Sequence, residues 1–561
     1  MEINERIRLY GIEYKKTFCG RQNKKGLIAK AIFACLFAFM MMLSNMVLFG
    51  GSIFGNFEDN CFLPFKVGYL AIFLLYFLLS YAVVCLFEWL LGKAENHSIT
   101  ANRNYKKYYF WIFTGVLLLC WLPYYLSYFP GGVFADTFRS ISQATGKEVV
   151  TNNHPILYML VIKLFIGIGG LLGQGLQFSI GLFTLAQCVA MALVLAYFLY
   201  WMYKHNVAWV YIALSGAFFC FFPLIPYYAI AVWKDTPFSL ALFLFAIYVL
   251  DISLSDGKVL FTWKGAVKYC ILGLLVTFLR NNTLPLVLII TLILFIAYRK
   301  KLCGPLKKFM LLSIGTVVTI SGIQGPLYDK LGYNEIKTVE SYGPMLQHIA
   351  YVVSTEGDVS EDQVQFLYHI IPLDKMKEMY APCIVDQIKW DPSFDNEYLN
   401  EHKDEFIRVW ASIAMRNPGS VVKAQLLETL GFWDITRGKS TGYIQKDVWF
   451  EGQGLVSIDY FEKVFGFSFD EFVSPKHYIS AALFAWLALC NATIVVSQKK
   501  YRFLWVFLIP LFMWAGTLIG TPIAFSLRYI YICVLFIPMG FLLSILPYPQ
   551  RKKTEAETNR A

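Results

Sequence analysis

Long apolar runs separated by short polar segments dominate the chain. Twelve of these runs approach or exceed the roughly 20 residues that a helix needs to cross a bilayer. They cover residues 27–49, 67–92, 109–128, 176–203, 207–223, 236–252, 262–280, 283–299, 309–325, 478–496, 503–520 and 526–546. The pattern therefore predicts an all-α polytopic membrane protein with about 12 transmembrane helices.

The composition agrees with this prediction and argues against a soluble protein. Hydrophobic residues make up 57% of the 561 residues and charged residues only 16%, whereas about 25% of a soluble chain is charged. The first 25 residues are polar and basic, so we expect no cleavable signal peptide. Among the 12 cysteines, Cys61 and Cys383 fall in predicted external segments, and whether they pair stays open at this point.

The net charge of +11 does not indicate nucleic-acid binding, because the charges are unevenly distributed. Residues 327–477 hold 24 of the 38 acidic residues but only 14 of the 49 basic ones. The remaining basic residues cluster in short segments beside apolar runs, which is the pattern of cytoplasmic loops in membrane proteins. The positive charge therefore predicts orientation in a membrane, and no nucleic-acid partner.

A thirteenth apolar segment, residues 155–172, decides the topology. If it crossed the membrane, every later loop would invert, and the basic groups at 299–308, 499–502 and 551–553 would face outside. We therefore expect residues 155–172 to form a re-entrant or interface-lying helix. Both termini are then cytoplasmic in a multi-pass plasma-membrane protein.

This topology divides the chain into five parts. We predict a cytoplasmic N-terminus with two extra transmembrane helices (1–108), a transmembrane core with a long external loop at 129–175 (109–326), a mostly helical extracellular domain (327–477), three C-terminal transmembrane helices (478–546) and a basic cytoplasmic tail (547–561).

The long external loop contains signals for two short juxtamembrane helices. Asp136 is placed to cap a helix over residues 137–144, with Gly146 as its stop. Asn153 is placed to cap a second helix that has Pro155 in its first turn. In the extracellular domain, Ser360 and Gln363 have the spacing of a capping box.

Unusual polar residues gather at the predicted external ends of the spans. They are Asp136, His154, Lys234, Asp235, Arg280, Asn281, Asn282 and Arg528. Charges near a bilayer often mark a site, but each of these residues also has a structural interpretation. Asp136 is a helix cap, or else a general base or metal-binding carboxylate. His154 is either a turn residue or a ligand of phosphate or metal. The cations are either interfacial anchors or phosphate-binding groups.

Together, the three cations and the nearby carboxylate suit an anionic lipid headgroup. A phosphate close to lipid needs fixed positive partners, which Lys234, Arg280 and Arg528 would supply. Asp136 would then accept a proton from an acceptor hydroxyl. The sequence contains no phosphate-binding loop for ATP, so energy from ATP is not expected within this chain.

These residues resemble the plan of the GT-C superfamily of membrane glycosyltransferases, and in particular a bacterial GT-C-like branch of uncharacterised function. The likeness covers about residues 109–546. The matching positions are Pro130-Gly131, Asp136, Gln143, Gly146, Asn153, His154-Pro155, Tyr158, Lys234-Asp235, Pro237-Phe238, Arg280-Asn281-Asn282 and Arg528-Tyr529.

The resemblance implies transfer of a sugar from a polyprenyl-phosphate donor to a cell-envelope glycan or lipid on the external face. Asp136 would be the catalytic base, and His154, Lys234, Asp235, Arg280, Asn281, Asn282, Arg528 and Tyr529 would bind the lipid phosphate or substrate. Ala135-Asp136 stands where many relatives have two acids, so a divalent metal, Mg²⁺ or Mn²⁺, stays open. The alternatives are a transporter or flippase of lipid-linked glycans and a non-catalytic envelope scaffold.

Overall fold

The structure is a computed structural model, and it describes residues 12–14, 24–100, 103–299, 303–333, 339–438, 454–469, 479–547 and 549–551. Helices form nearly all of the regular structure within these residues. The strands are two short antiparallel pairs: β1 (Ile12–Tyr14) with β4 (Pro549–Arg551), and β2 (Val47–Phe49) with β3 (Asn60–Phe62).

The helices are numbered in chain order. The first twelve are α1 (Lys24–Met46), α2 (Gly68–Glu95), α3 (Tyr108–Ser127), α4 (Ala135–Thr145), α5 (Ile156–Leu171), α6 (Leu176–Lys204), α7 (Trp209–Phe221), α8 (Leu224–Ile230), α9 (Asp235–Leu254), α10 (Trp263–Leu279), α11 (Leu284–Tyr298) and α12 (Cys303–Gly322). A 3₁₀ turn at Asn281–Thr283 precedes α11, and a π-helical turn and the short α13 (Tyr328–Lys330) follow α12.

The later helices include a run of short ones. They are α14 (Val339–Ser354), α15 (Glu361–Ile370), α16 (Leu373–Met379), α17 (Asp386–Lys389), α18 (Asn396–Glu401), α19 (Lys403–Arg416), α20 (Pro418–Glu428), α21 (Leu430–Trp433), α22 (Tyr460–Phe465), α23 (Ala481–Ser497), α24 (Leu504–Ile519), α25 (Tyr531–Leu535) and α26 (Ile537–Ile545). Two 3₁₀ turns, Tyr501–Phe503 and Leu527–Ile530, precede α24 and α25.

The long helices run between two ends of one bundle. At the end called lower here, Tyr105 Oη donates to Lys204 O at 2.8 Å, and Arg502 pairs with Asp256 at 2.6 Å. At the upper end, Ser44 Oγ donates to Asp434 Oδ2 at 2.8 Å. The helices of the described chain that pack along the bundle are α1, α2, α3, α6, α7 with α8, α9, α10, α11, α12, α23, α24, and α25 with α26.

The length and hydropathy of each helix test whether it could cross a membrane. Nine helices of the described chain are long and apolar enough to cross a bilayer, and ten if α7 and α8, which meet at a bend of 55°, form one span. Helices α10 and α23 have 17 residues each and fall below this length. The all-α polytopic architecture is therefore confirmed, whereas the number of 12 spans stays a prediction.

Helix α5 does not extend from one end of the bundle to the other. The rings of Tyr158 and Phe165 lie 5.9 and 5.6 Å from that of Phe183, near the start of α6. Gly169, close to the end of α5, packs against Ser179. Helix α5 thus lies against the upper third of α6, which is the placement expected for a re-entrant or interface-lying helix.

The helices from α14 to α21 form a separate hydrophobic core at the upper end of the bundle, which also includes Val47, Ile53, Ala524 and Phe525. Gln425 donates to the carbonyl of Leu518 at 3.0 Å, and Ala524 N donates to Cys383 O at 2.9 Å. The predicted mostly helical region is therefore present in the described part of 327–477 and packs on the upper end. Cys61 and Cys383 are both free thiols in this structure.

The helix caps correct two predictions of the sequence and confirm two others. Helix α4 begins one residue before Asp136, with Phe134 as its cap, because the side chain of Thr137 satisfies the Phe134 N–H at 3.3 Å. Pro155 rather than Asn153 precedes α5. The predicted stop at Gly146 and the capping box of Ser360 and Gln363 are confirmed.

Candidate functional site

Two loops at the upper end place the functional side chains: residues 129–134, before α4, and residues 231–234, before α9. Gly132 N donates to Ile230 O at 3.0 Å and Val232 N to Gly132 O at 2.9 Å, so the loops lie side by side. Gly131 has a φ of +130°, and a Cβ there would lie 2.8 Å from Ile230 O. Only glycine therefore fits at position 131 without moving the neighbouring loop.

Asp136 lies at the centre of the cluster and is bound by two cations. Its Oδ2 is 2.6 Å from Nη1 of Arg528 and 3.9 Å from Nζ of Lys234. Its side chain is still 33% exposed. Burial acts to raise the pKa of Asp136, but the positive charges of Arg528 and Lys234 outweigh it and hold that pKa well below the usual carboxyl range. The carboxylate is therefore ionised and accessible.

His154 is tied to Lys234 rather than to an anion. Nζ of Lys234 donates to Nδ1 of His154 at 2.5 Å. Burial and the neighbouring ammonium lower the pKa of His154 to about 3, so the imidazole is neutral. A neutral ring whose Nδ1 accepts a hydrogen bond carries its own proton on Nε2. His154 thus fixes the position of the Lys234 ammonium beside Asp136.

Asp235 and Arg280 form a second ion pair next to the first. Asp235 is only 1% exposed, and its Oδ1 accepts from Nη1 of Arg280 at 2.8 Å. Tyr529 joins the two pairs, since the guanidinium groups of Arg280 and Arg528 lie 5.5 and 5.0 Å from its ring centre. Its hydroxyl also accepts from Arg528 Nη2 at 3.2 Å. The three predicted cations therefore belong to one cluster.

The two predicted asparagines have different positions. Asn281 Nδ2 donates to the backbone oxygen of Asn152 at 2.7 Å and to its side-chain oxygen at 3.1 Å. Asn281 therefore supports the loop that carries His154. Asn282 is exposed on the 3₁₀ turn, and no contact joins it to the cluster in the described structure.

The sequence analysis assigned no role in the site to three aromatic residues. Trp233 stacks on Phe134 with ring centres 4.0 Å apart, and the Arg528 guanidinium lies 5.4 Å from the Trp233 ring centre. The hydroxyl of Tyr158 is buried within electrostatic range of Asp136 and Asp235. Two features of the sequence could have indicated a role in the site. Trp233 stands directly before Lys234, and Tyr158 stands four residues after His154.

The arrangement suits an anion and offers no ready metal centre. Three cations, two carboxylates and a neutral histidine give the cluster a net charge of about +1. No group of three or more His, Cys, Asp or Glu side chains in the described residues has the geometry to hold a metal ion. The acids of the cluster are each paired with an arginine, so these residues do not fit a resident Mg²⁺ or Mn²⁺, a question that the sequence left open.

Comparison with known proteins returns one family, described as "Family of unknown function (DUF6020)", whose pattern matches residues 141–560. The match contains every predicted site residue except Asp136, which lies five residues before it. No curated protein and no solved structure matches the chain.

Proposed function

We propose that this chain, which belongs to the DUF6020 family of unknown function, is a GT-C-type membrane glycosyltransferase. It would move a sugar from a polyprenyl-phosphate donor to a cell-envelope glycan or lipid on the external face of the plasma membrane. The observation that carries this proposal is the meeting of Asp136 with Lys234 and Arg528, 3.9 and 2.6 Å from its Oδ2, in a cluster that also includes Arg280.

The cations would hold the donor phosphate. A guanidinium group offers several donors in a fixed plane and binds phosphate oxygens well. The side chain of Arg528 is 14% exposed and that of Lys234 is 22% exposed, so both are accessible yet only weakly screened by salt. A bound phosphate would compete with Asp136 for these two cations.

Asp136 would act as the base. In the pairing seen here it is a poor one, because a carboxylate with so low a pKa has little affinity for a proton. A phosphate anion at Arg528 and Lys234 would offset their charge and raise the proton affinity of Asp136. The carboxylate would then take the proton of the acceptor hydroxyl. The acceptor oxygen would bond to the anomeric carbon of the sugar as its bond to the phosphate oxygen breaks, with inversion.

The distribution of charge supports the proposed orientation. The site lies at the upper end of the bundle, where the helical region 339–433 packs. Basic residues mark the lower end: Lys93, Arg103, Lys106, Lys204, Lys499 and Arg502. Since basic segments remain in the cytoplasm, the upper end would be extracellular and both termini cytoplasmic.

The test is an envelope profile. In a strain that lacks this protein, we expect one glycan substituent to disappear from the cell envelope. Wild-type protein should restore the substituent, whereas Asp136→Asn should insert and fold normally but restore none of it. Full restoration by Asp136→Asn would exclude Asp136 as the base. An unchanged glycan profile in the deletion strain would contradict the proposal.

One observation favours the transporter alternative. The pass formed by α7 and α8 is bent by 55°, and α8 leads directly into the loop of Trp233 and Lys234. Transporters often bind substrates at such breaks. A reconstituted flippase would move a fluorescent lipid-linked glycan across vesicles without changing its mass. A transferase would instead release sugar-free polyprenyl phosphate, which mass spectrometry distinguishes.

A further inference from the structure

Four buried polar atoms beside the cluster have no hydrogen-bond partner within the described residues. They are Asn153 Oδ1, Tyr158 Oη, Trp233 Nε1 and Asp235 Oδ2. All four come from two short stretches, 153–158 and 233–235, that flank His154 and Lys234. Native proteins leave few buried polar groups unpaired, because each costs about 1–3 kcal/mol. Four such atoms next to one cluster therefore require an explanation.

The side chains that carry two of these atoms are held in place by other contacts. Asp235 is pinned through its other oxygen, Oδ1, by Arg280. Tyr158 is only 3% exposed, and its ring packs edge-on against Phe183. Burial raises the pKa of Tyr158 well above its ordinary value, so its hydroxyl remains protonated and able to donate. The unpaired atoms of Asp235 and Tyr158 are thus held in fixed positions.

The chemistry of these atoms excludes a phosphate as their partner. Asn153 and Asp235 offer acceptors, Trp233 offers a donor, and Tyr158 offers both. A phosphate oxygen has no proton for the two acceptors and would be repelled by Asp235. Hydroxyl groups both donate and accept, so a neutral group with several hydroxyls satisfies the whole set.

We infer that these four residues form a subsite for a neutral, hydroxyl-rich sugar ring, next to the cations that would hold the donor phosphate. This inference rests on the proposed function and assigns to the sugar the part of the site that the phosphate does not use. Tyr158 and Asp235 are its central residues, because both are more than nine-tenths buried and the Tyr158 hydroxyl lies within electrostatic range of Asp235 and Asp136.

The test is equilibrium binding to the purified full-length chain. The probes are sugar-free polyprenyl phosphate and a panel of polyprenyl-phosphate-linked hexoses and N-acetylhexosamines. We expect at least one sugar-bearing lipid to bind about tenfold more tightly than the sugar-free lipid. Tyr158→Phe removes a hydroxyl without a protein partner, so it should lose about tenfold in affinity for that sugar-bearing lipid and none for the sugar-free one. Asp235→Asn should likewise reduce the preference for the sugar-bearing lipid over the sugar-free one.

Tyr125→Phe is the matched control. The Tyr125 hydroxyl donates to Gly181 O at 3.0 Å and so contributes to the stability of the fold. Tyr125→Phe should lower the melting temperature and leave the preference for sugar unchanged, whereas Tyr158→Phe, which removes an unpaired buried hydroxyl, should not lower the melting temperature. Equal affinity of the wild type for every lipid, or equal losses for both lipids in Tyr158→Phe, would overturn the sugar subsite but not the phosphate site. Binding of neither kind of lipid would overturn the proposed function itself.

Discussion

Arg528 is the residue whose replacement tests the phosphate site most directly. Its guanidinium donates to Asp136 at 2.6 Å and to the Tyr529 hydroxyl at 3.2 Å. A hydrogen bond to a charged group contributes about 1.5–3 kcal/mol. Arg528 already donates a hydrogen bond to Asp136. A phosphate that replaces Asp136 at the N–H groups of Arg528 therefore gains only the lower part of that range of binding free energy. Arg528→Ala should therefore weaken binding of polyprenyl phosphate about tenfold.

The assay is a titration of the purified protein with polyprenyl phosphate at about 0.05 M and about 0.5 M salt. Because the Arg528 side chain is 14% exposed, the tenfold loss should persist at high salt. Arg416→Ala is the matched control, since it removes the same charge from a cation that is 42% exposed and 3.6 Å from Asp358. An Arg528→Ala protein that titrates like the wild type, or an equal loss in Arg416→Ala, would refute the reasoning.

Three further predictions concern the loop, the helical region and the orientation. Gly131→Ala should destabilise the fold by about 1–3 kcal/mol and weaken lipid binding, whereas Gly175→Ala, at an open position with φ −79°, should be tolerated in both assays. Burial raises the pKa of Glu428 well above its usual value. The protonated Glu428 side chain therefore makes its whole contribution to the free energy of unfolding below about pH 4.3, and this contribution is lost as the pH rises above that value. Glu428→Gln should therefore raise the melting temperature at pH 8 relative to wild type and reduce its dependence on pH. Cysteines introduced at Val149 and Lys258, both exposed, should react with a membrane-impermeant thiol reagent from outside and from inside, respectively; labelling of both from one side would contradict the topology.

The large features of the fold were predictable because they depend on local properties of the sequence. A run of apolar residues indicates a pass wherever it occurs, and basic residues bias its direction. The placement of α5 also follows from charge, since only a helix that does not cross keeps the basic groups on one side. In the structure α5 lies against the first turns of α6, and its position relative to a membrane stays a prediction.

The pairing of side chains was not predictable in the same way. Lys234 and Asp235 are neighbours in sequence and suggest a local ion pair, but Lys234 bonds to His154 while Asp235 pairs with Arg280. Consecutive residues at a helix start point in directions about 100° apart, so adjacent charges reach different partners. Which partners they reach depends on the packing of distant helices.

The charge of the cluster supplies a last and sharper prediction. The donor is a phosphodiester with one negative charge, which balances the net charge of about +1. Transfer leaves a phosphomonoester that approaches two negative charges near neutral pH. In the proposed reaction, Asp136 gains the acceptor proton at the same moment, and the cluster rises to about +2, so charge remains balanced until Asp136 loses that proton.

Asp136→Asn imitates the protonated state of Asp136 permanently. The variant should therefore bind sugar-free polyprenyl phosphate more tightly than the wild type, by at least about fivefold, because one charge at about 4 Å is worth about 1 kcal/mol through a dielectric constant of about 80 and about 4 kcal/mol through one of about 20. It should do so although its transferase activity is lost. The same titration at low salt measures this gain. Weaker binding by Asp136→Asn would show that Asp136 helps to hold the phosphate lipid, and would place the phosphate away from Arg528 and Lys234.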